Sequence, residues 1–494
     1  MQVVIIGAGV SGLIAASEIL TSKTVESVTI VEALPYIGGR IKACRDFIPG
    51  GHKIDLGAEY IHGHETILTD IIKENAAQWE EEIGPDEDLL EEIFIAAHAD
   101  GGPAEHPTKE GKYGVYYLAK EDRLLRFDTD DADFLHLTKS LSNLEWETEE
   151  DGSEGQGDMK SLGTYLEESV TVAPRMMGIL EAGFGNTAAC TDLYNISLSA
   201  TKDFETHWEE NEVEGDTRLH SKIGMVGVVD FLTKILQNDE RCSILLNWNV
   251  SQVEWNEDRG VRIVSADRGE ELHADKVIIT APPPIMTSGQ IQFHPPLPNW
   301  KIEAYNKVGM ERAIKIIVRF SERFWPKEVQ TVIAADELIP EIWFREMKWK
   351  DKGGGEDAAF LAVGFLTSKA ADELVSRLEG QITEEEKQEF AADIIKDQLA
   401  KIFRKNRNFV DEAYVSTIMF DWGDTETIKG GYIYPKVGIT KKNFYEMASP
   451  IGNVLYFAGE ATNTGACCTV QAAMETGERA AKEVLATSIE YHKI

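Results

Sequence analysis

The chain opens on an apolar run, Val3–Ile6, that stops abruptly at a glycine. A short run that is apolar at every position reads as a strand covered on both faces. Small and apolar residues continue with helical character to Leu20, and a second apolar run, Val28–Val31, ends on the acid Glu32. Strand, glycine turn, helix and strand predict a βαβ unit of a parallel sheet. Beyond it, His52–His64 reads as strand, turn and strand, and Glu65–Trp79 carries the period of an amphipathic helix. Ile223–Leu236 predicts a turn and helix, followed by strands within Ser243–Trp255, Val261–Ala266 and Ala274–Pro284. In Ala313–Phe320 the residues Ile314, Ile316, Val318 and Phe320 alternate with Lys315, Ile317 and Arg319, so pattern alone turns Lys315 toward solvent. Ile382–Phe403 is a charged helical region. Val454–Thr462 predicts a buried strand closing on an acid, and Thr469–Leu485 a helix with small residues on its packing face.

These elements fall into two interleaved sets. The predicted fold class is α/β: a Rossmann-like nucleotide-binding domain from residues 1–82, 215–290 and 413–494, and an interleaved α+β substrate domain from 83–214 and 291–412. The first substrate segment is dense in acids, at Asp86–Asp88, Glu91–Glu92, Glu145–Asp158 and Glu209–Glu214, with Glu147–Asp158 reading as a mobile loop. Between these runs, Tyr113–Leu118 and Ala182–Leu198 are apolar enough to pack.

Charge narrows the partners. Acids outnumber bases 85 to 49 over 494 residues, a net charge of −36. That field repels nucleic acid and anionic membrane and attracts cations, although a solvated acidic surface explains most of these charges equally well. Five cysteines without zinc spacing point to a reducing compartment, with Cys467 and Cys468 read as small residues packed near a cofactor. With the first strand at Val3 and no long apolar stretch, the expectation is a cytoplasmic protein, a monomer or weak homodimer.

The opening βαβ unit carries the first chemistry. Gly7 allows the tight turn, Gly9 lets backbone N–H groups approach a pyrophosphate, and Gly12 lets the helix pack close to the strand. Ala8 and Ser11 lie in the same turn, and Glu32 stands where ribose hydroxyls would be held. The alternative is a glycine-rich turn in an ordinary βαβ unit. Directly after the acid come Ala33 and the run ending Gly38-Gly39-Arg40. Farther along stand L-G-A-E-Y-I-H-G (Leu56–Gly63), Lys315 followed by F-W-P, D-W-G-D-T-E-T-I-K-G-G-Y (Asp421–Tyr432) and A-G-E-A-T (Ala458–Thr462).

This set of motifs, spread over nearly the whole chain, resembles the flavin-dependent amine oxidase superfamily. The resemblance implies a p-hydroxybenzoate hydroxylase-like FAD domain and non-covalent FAD. It places Gly39 and Arg40 on the cofactor and Gly57, Ala58, Glu59 and Tyr60 beneath or beside the ring. It puts the backbone of Val250 at the adenine, Trp422 near the ring and Glu460 at a ribityl hydroxyl. The helix start at Thr469 and Val470 would face the flavin N1/O2 edge. Lys315 would be the catalytic lysine that holds a water against flavin N5, with a pKa lowered by burial. Tyr432, Glu59, His62 and Thr469 would face the amine.

Departures refine the resemblance. Gly431 stands where monoamine oxidases carry a cysteine linked covalently to FAD, and Thr469 where they carry a second tyrosine. Y-I-H-G is similar to the W-I-H-G of spermine and acetylpolyamine oxidases, and no arginine stands near Glu59 for an amino acid carboxylate. Tyr36 replaces a frequent arginine, and Arg312-Ala313-Ile314 is less polar than in polyamine oxidases. No third ligand joins His62 and His64, so no metal is expected. The implied activity is oxidation of a cationic small-molecule amine, most like polyamines: hydride transfer to flavin N5, imine hydrolysis, and reoxidation by O2 to H2O2. A monoamine or other small-amine oxidase, or a flavin-binding protein without turnover, shares most of these features.

Overall fold

The computed structural model describes residues 1–491 apart from 64, 86, 94–106, 143–158, 211–215, 267, 351–354, 382 and 466. The loop expected at Glu147–Asp158 and the histidine His64 therefore lie outside the described residues, as do the 214/215 boundary and most of the last acidic run.

The opening apolar runs form a parallel sheet of five strands in the order Cys242–Leu245, Ser27–Val31, Gln2–Ile6, Lys276–Ile279 and Leu455–Phe457. Its strands are apolar throughout because both faces are covered. Val3, Ile5, Val28, Ile30 and Ile278 pack with the helices Val10–Leu20, Val226–Gln237 and Val470–Tyr491. Val4, Ile6, Val31, Val277, Ile279 and Phe457 turn the other way, onto Trp248, Val253 and Ile263. The first helix and the last lie against each other: a Cβ on Gly477 would stand 2.2 Å from the Ser11 carbonyl oxygen. The two ends of the chain thus build one layer.

A second sheet holds seven strands in the order Tyr414–Asp421, Ala313–Phe320, Glu356–Thr367, Glu341–Lys350, Val329–Ala335, Tyr113–Leu118 and Arg123–Arg126. Two distant parts of the chain meet in it, since Tyr113–Leu118 pairs in parallel with Val329–Ala335. The segment boundaries expected at 290/291 and 412/413 cut across strand pairings. Gln292–His294 still pairs with Val250–Asn256 in a four-stranded sheet, and Tyr414–Asp421 still pairs with Ala313–Phe320. Backbone hydrogen-bonding groups in these strands need a ladder partner, and that partner lies in the neighbouring layer's sheet.

The strand Ala313–Phe320 corrects the alternation argument. Ile314, Ile316, Val318 and Phe320 pack beneath the helices Ser368–Leu378 and Glu384–Ile402. Ile317, on the opposite face, is buried as well, against Ile48, Ile54 and Leu56. Lys315 shares that second face and is only 4% exposed. Period-two alternation reports which residues share a face, not whether the second face is wet. No helix among the described residues is long and apolar enough to cross a membrane.

Candidate active site

A cavity of about 360 Å³ opens at the carboxyl ends of Gln2–Ile6, Ser27–Val31 and Lys276–Ile279, where Ile6, Val31 and Thr280 line it. Open parallel sheets bind nucleotides at this end. Gly7 makes the turn with φ +109°, and a Cβ there would lie 2.3 Å from Thr280 Oγ1. At Gly12 a Cβ would lie 2.1 Å from the Gly7 carbonyl oxygen, so this glycine lets helix meet turn and does not itself line the cavity. Gly9 differs: a Cβ there meets no protein atom within 4 Å and would stand in cavity space. No side chain caps the helix at Gly9, which leaves its first-turn N–H groups facing the cavity end.

Glu32 is buried and lines the cavity, accepting the N–H of Ala8 at 2.8 Å and of Leu34 at 2.8 Å. Burial pushes its carboxyl up against the pull of those N–H groups. Ala8 contributes through this bond and does not itself line the cavity. The second glycine pair has a structural task of its own. Gly38 N–H donates to the Ala8 carbonyl at 2.9 Å, and a Cβ on Gly39 would stand 3.3 Å from Gly9 Cα, so one glycine turn nests on the other.

Arg40 joins both ends of the chain, donating to the Gly431 carbonyl at 2.6 Å and to Glu460 Oε1 at 3.0 Å. The other oxygen of Glu460 accepts the Cys468 N–H at 3.1 Å, just before the last helix begins. Gly57 is fitted under this wall: a Cβ there would lie 1.8 Å from the Arg40 carbonyl oxygen and 2.9 Å from Trp422 Cζ2. Trp422 is held by its own N–H on the Leu56 carbonyl at 3.0 Å. Ser11, Ala33, Ala58, Val250, Thr469 and Val470 complete the expected lining. The Thr427 hydroxyl lines the same cavity, buried and without a hydrogen-bond partner. Uncapped N–H groups, the space at Gly9 and this orphaned hydroxyl together fit a bound dinucleotide.

At the far end Lys315, Phe365 and Tyr432 line the cavity. The Tyr432 hydroxyl donates to the Thr187 carbonyl, which fixes its ring. Lys315 donates to the Asp55 carbonyl at 3.1 Å, the Gly57 carbonyl at 3.0 Å and Glu59 Oε2 at 3.1 Å. Three of the expected residues stand back from this lining. Glu59 does not line the cavity; it turns away to Lys315, Arg218 and Arg345, because a buried carboxylate needs cations. Tyr60 leaves the ring site for Trp343, with ring centroids 5.7 Å apart. His62 also lies off the lining, its Nδ1 2.5 Å from Asp216 Oδ1 across the strand pair Tyr60–His62 and Asp216–Leu219.

Pattern reading passed over Glu341. Cross-strand pairing places Glu341, Phe365 and Lys315 in one row, hence on one face of the seven-stranded sheet. Two strand spacings separate Glu341 from Lys315, about 10 Å. Glu341 is 6% exposed and accepts from the hydroxyls of Thr187 and Thr331, with no cation paired to it among the described residues. Burial, against those two hydroxyls, raises its carboxyl to about 7. Thr187 belongs to a π-helical stretch, Glu181–Ala188, whose Asn186 clamps Thr367 and the Phe365 carbonyl. An acid flanked by I-P and I-W-F was the available signal, since charge inside an apolar strand needs a reason.

A parallel nucleotide-binding layer joined at its cavity to a sheet bearing a buried lysine defines a two-layer oxidoreductase of the flavoprotein type. The family described as flavin containing amine oxidoreductase matches residues 10–485, and the chain belongs to it. Polyamine oxidase 3 of Oryza sativa subsp. japonica is 26% identical over 493 residues, covering 97% of this chain and 88% of that protein. Lysine-specific histone demethylase 1 homolog 3 of Arabidopsis thaliana is 25% identical over 98% of this chain, which spans only 30% of that protein. The solved wild-type putrescine oxidase bound to putrescine superposes with a TM-score of 0.72 at 20% identity, over 98% of this chain and 99% of that one. The chain is accordingly a flavin-dependent amine oxidase.

Proposed function

We propose that the substrate is an amine carrying a second cationic group, a polyamine such as spermine, spermidine or an acetylated form, and that the cofactor is FAD held without a covalent bond. The observation that carries the substrate reading is Glu341, a buried acid with no cation paired to it among the described residues, which stands in one cross-strand row with the cavity-lining Phe365 and Lys315, about 10 Å from the lysine. A distal ammonium seated there would supply the missing charge, while the reacting nitrogen lies against Tyr432. The names of the polyamine oxidase and putrescine oxidase relatives agree with this choice.

For the cofactor, the turn Gly7–Gly9 and the first helix would take the pyrophosphate, Glu32 a ribose and Glu460 a ribityl hydroxyl. Val470, at the start of the last helix, would face the ring. Position 431 offers no thiol, and a Cβ there would lie 2.9 Å from Ala313 Cβ, so the loop is closed to a larger residue. FAD, when bound, supplies the two-electron acceptor and passes the pair to O2, giving H2O2. Tyr432, immobilised through Thr187, and Trp422, immobilised through Leu56, orient the reacting amine between apolar walls that exclude water.

Anaerobic mixing with spermine, spermidine, their acetylated forms, monoamines and amino acids tests the reading. Polyamines are expected to bleach the flavin absorbance fastest. Bleaching by monoamines alone would refute the polyamine assignment, and bleaching by none would leave a flavin-binding protein without turnover.

A further inference from the structure

Behind the cavity, the seven-stranded sheet and the strands Tyr60–His62 and Asp216–Leu219 enclose a buried cluster of charge. Glu59 sits at its centre. Its Oε2 accepts from Lys315 at 3.1 Å, and its Oε1 from Arg218 at 3.1 Å and Arg345 at 3.2 Å. Arg218 forks onto Glu91 at 2.8 and 3.0 Å, and Glu91 meets Lys112 at 3.0 Å toward the surface. The side chains of Lys315, Glu59, Arg218 and Arg345 are at most 6% exposed. Burial works to raise the Glu59 carboxyl, yet Lys315, Arg345 and Arg218 outweigh it and carry it down to about 2. Glu59 therefore meets three buried cations, of which Arg218 has a second carboxylate in Glu91, and its removal would leave Lys315 and Arg345 facing each other without it.

Of the remaining neighbours of Lys315 among the described residues, Asp55 alone brings a further carboxyl into this balance. Asp55 turns its carbonyl to the lysine and its carboxyl to the Met225 N–H. Burial and Glu59 raise that carboxyl to about 7, against Arg345 and Lys315. The strand Glu341–Lys350 contributes the Trp343 ring, 5.2 Å from Nζ. The flanking strands present uncharged Phe365 and Phe420.

We infer that Glu59 is a positioning residue: with the carbonyls of Asp55 and Gly57 it holds Lys315 as a fully bonded ammonium, so that Lys315 serves the reaction as a fixed positive charge and not as a proton-accepting amine. An ammonium has three N–H donors and no lone pair, and three acceptors surround Nζ at 3.0–3.1 Å. A proton-accepting lysine needs a free lone pair on the cavity side, which this arrangement denies. A fixed cation at the reactive end favours the negative charge that reduction places on the cofactor. The inference rests on the cavity being the flavin site, as proposed above.

The test uses the FAD-loaded protein and the variants Glu59→Gln and Glu59→Asp. Two quantities are followed from pH 6 to pH 9: the flavin midpoint potential, by dye equilibration, and the anaerobic bleaching rate with the best amine. Without Glu59, Arg218 and Arg345 favour loss of the Lys315 proton. The bleaching rate of Glu59→Gln relative to the parent should then fall with rising pH, on the order of tenfold or more, accompanied by a lowered potential. Glu59→Asp should restore the parent profile in part. The double variant Glu59→Gln/Arg345→Gln keeps the local net charge, so it covers the case where the single variant does not fold; its fall should lie at higher pH. A rate that climbs more steeply with pH in Glu59→Gln than in the parent, with the same amine, would show a working neutral lysine and overturn the inference. Profiles and potentials that superimpose on the parent would overturn it too. The potential needs no substrate, so a parent that no amine bleaches refutes the oxidase reading alone.

Discussion

Two buried acids near Lys315, Glu341 on the sheet and Glu59 on a loop packed against it, have opposite fates because of what surrounds them. Glu59 is ringed by cations and held down at about 2, whereas Glu341 meets only hydroxyls among the described residues and burial raises it to about 7. An acid whose folded pKa lies above its unfolded value stabilises the fold below the unfolded pKa and loses that contribution as pH rises through the folded one. For Glu341 the window runs from about 4.5 to about 7. Glu341→Gln, neutral at every pH, should therefore be more stable than the parent above pH 7, by up to about 3 kcal/mol, and equal to it near pH 4. Thermal melts at the two pH values check this. The same variant should lose about 100-fold in kcat/KM for polyamines while sparing monoamines, since only the former bring a second ammonium. Lys315→Met should slow anaerobic flavin bleaching by about 100-fold or more and leave FAD bound, as stopped-flow absorbance and retained visible colour would show.

At the scale of the element, the first glycine turn makes two kinds of demand. Gly12 is a packing glycine, with no room for a Cβ beside the Gly7 carbonyl. Gly9 is a space-keeping glycine whose absent Cβ leaves cavity volume free. Gly12→Ala should then cost about 3 kcal/mol of stability, because helix and strand are forced apart. Gly9→Ala should change the stability of the FAD-free protein by about 1 kcal/mol or less, yet weaken FAD binding by about tenfold. Urea melts of the stripped protein and equilibrium dialysis with FAD separate the two. The motif marks both glycines alike. Only the atoms facing each absent Cβ distinguish them.

The molecule as a whole carries its excess acid outward while its chemistry sits within. A net charge of −36 gathers cations from solution, and the effect is screened over about 8 Å at physiological ionic strength. For a tetracation such as spermine, kcat/KM should fall by about tenfold between low and 0.5 M salt, while a monoamine changes far less. Salt titration of initial rates decides it. Arg40 ties residue 431 and Glu460 to the first glycine turns, so cofactor and fold are coupled through both chain ends. FAD at one hundred times its Kd should stabilise the protein by about 2.7 kcal/mol.

The nucleotide layer was legible in the chain itself. Short range dictates it: an apolar run, a turn that only glycine fits and an acid at the next strand's end all fall between Val3 and Glu32. The matching half at Glu460 and the last helix was legible for the same reason. The charge relations around Lys315 were not. Alternation assigned Lys315 a face but could not say that Leu56 and Ile54 cover that face, nor that Glu59, Arg218 and Arg345 arrive there from three other segments. Glu341 is an ordinary strand acid until the sheet register sets it in line with Phe365 and Lys315. Burial and long-range pairing depend on which surfaces meet, and a charged side chain takes its role from those neighbours.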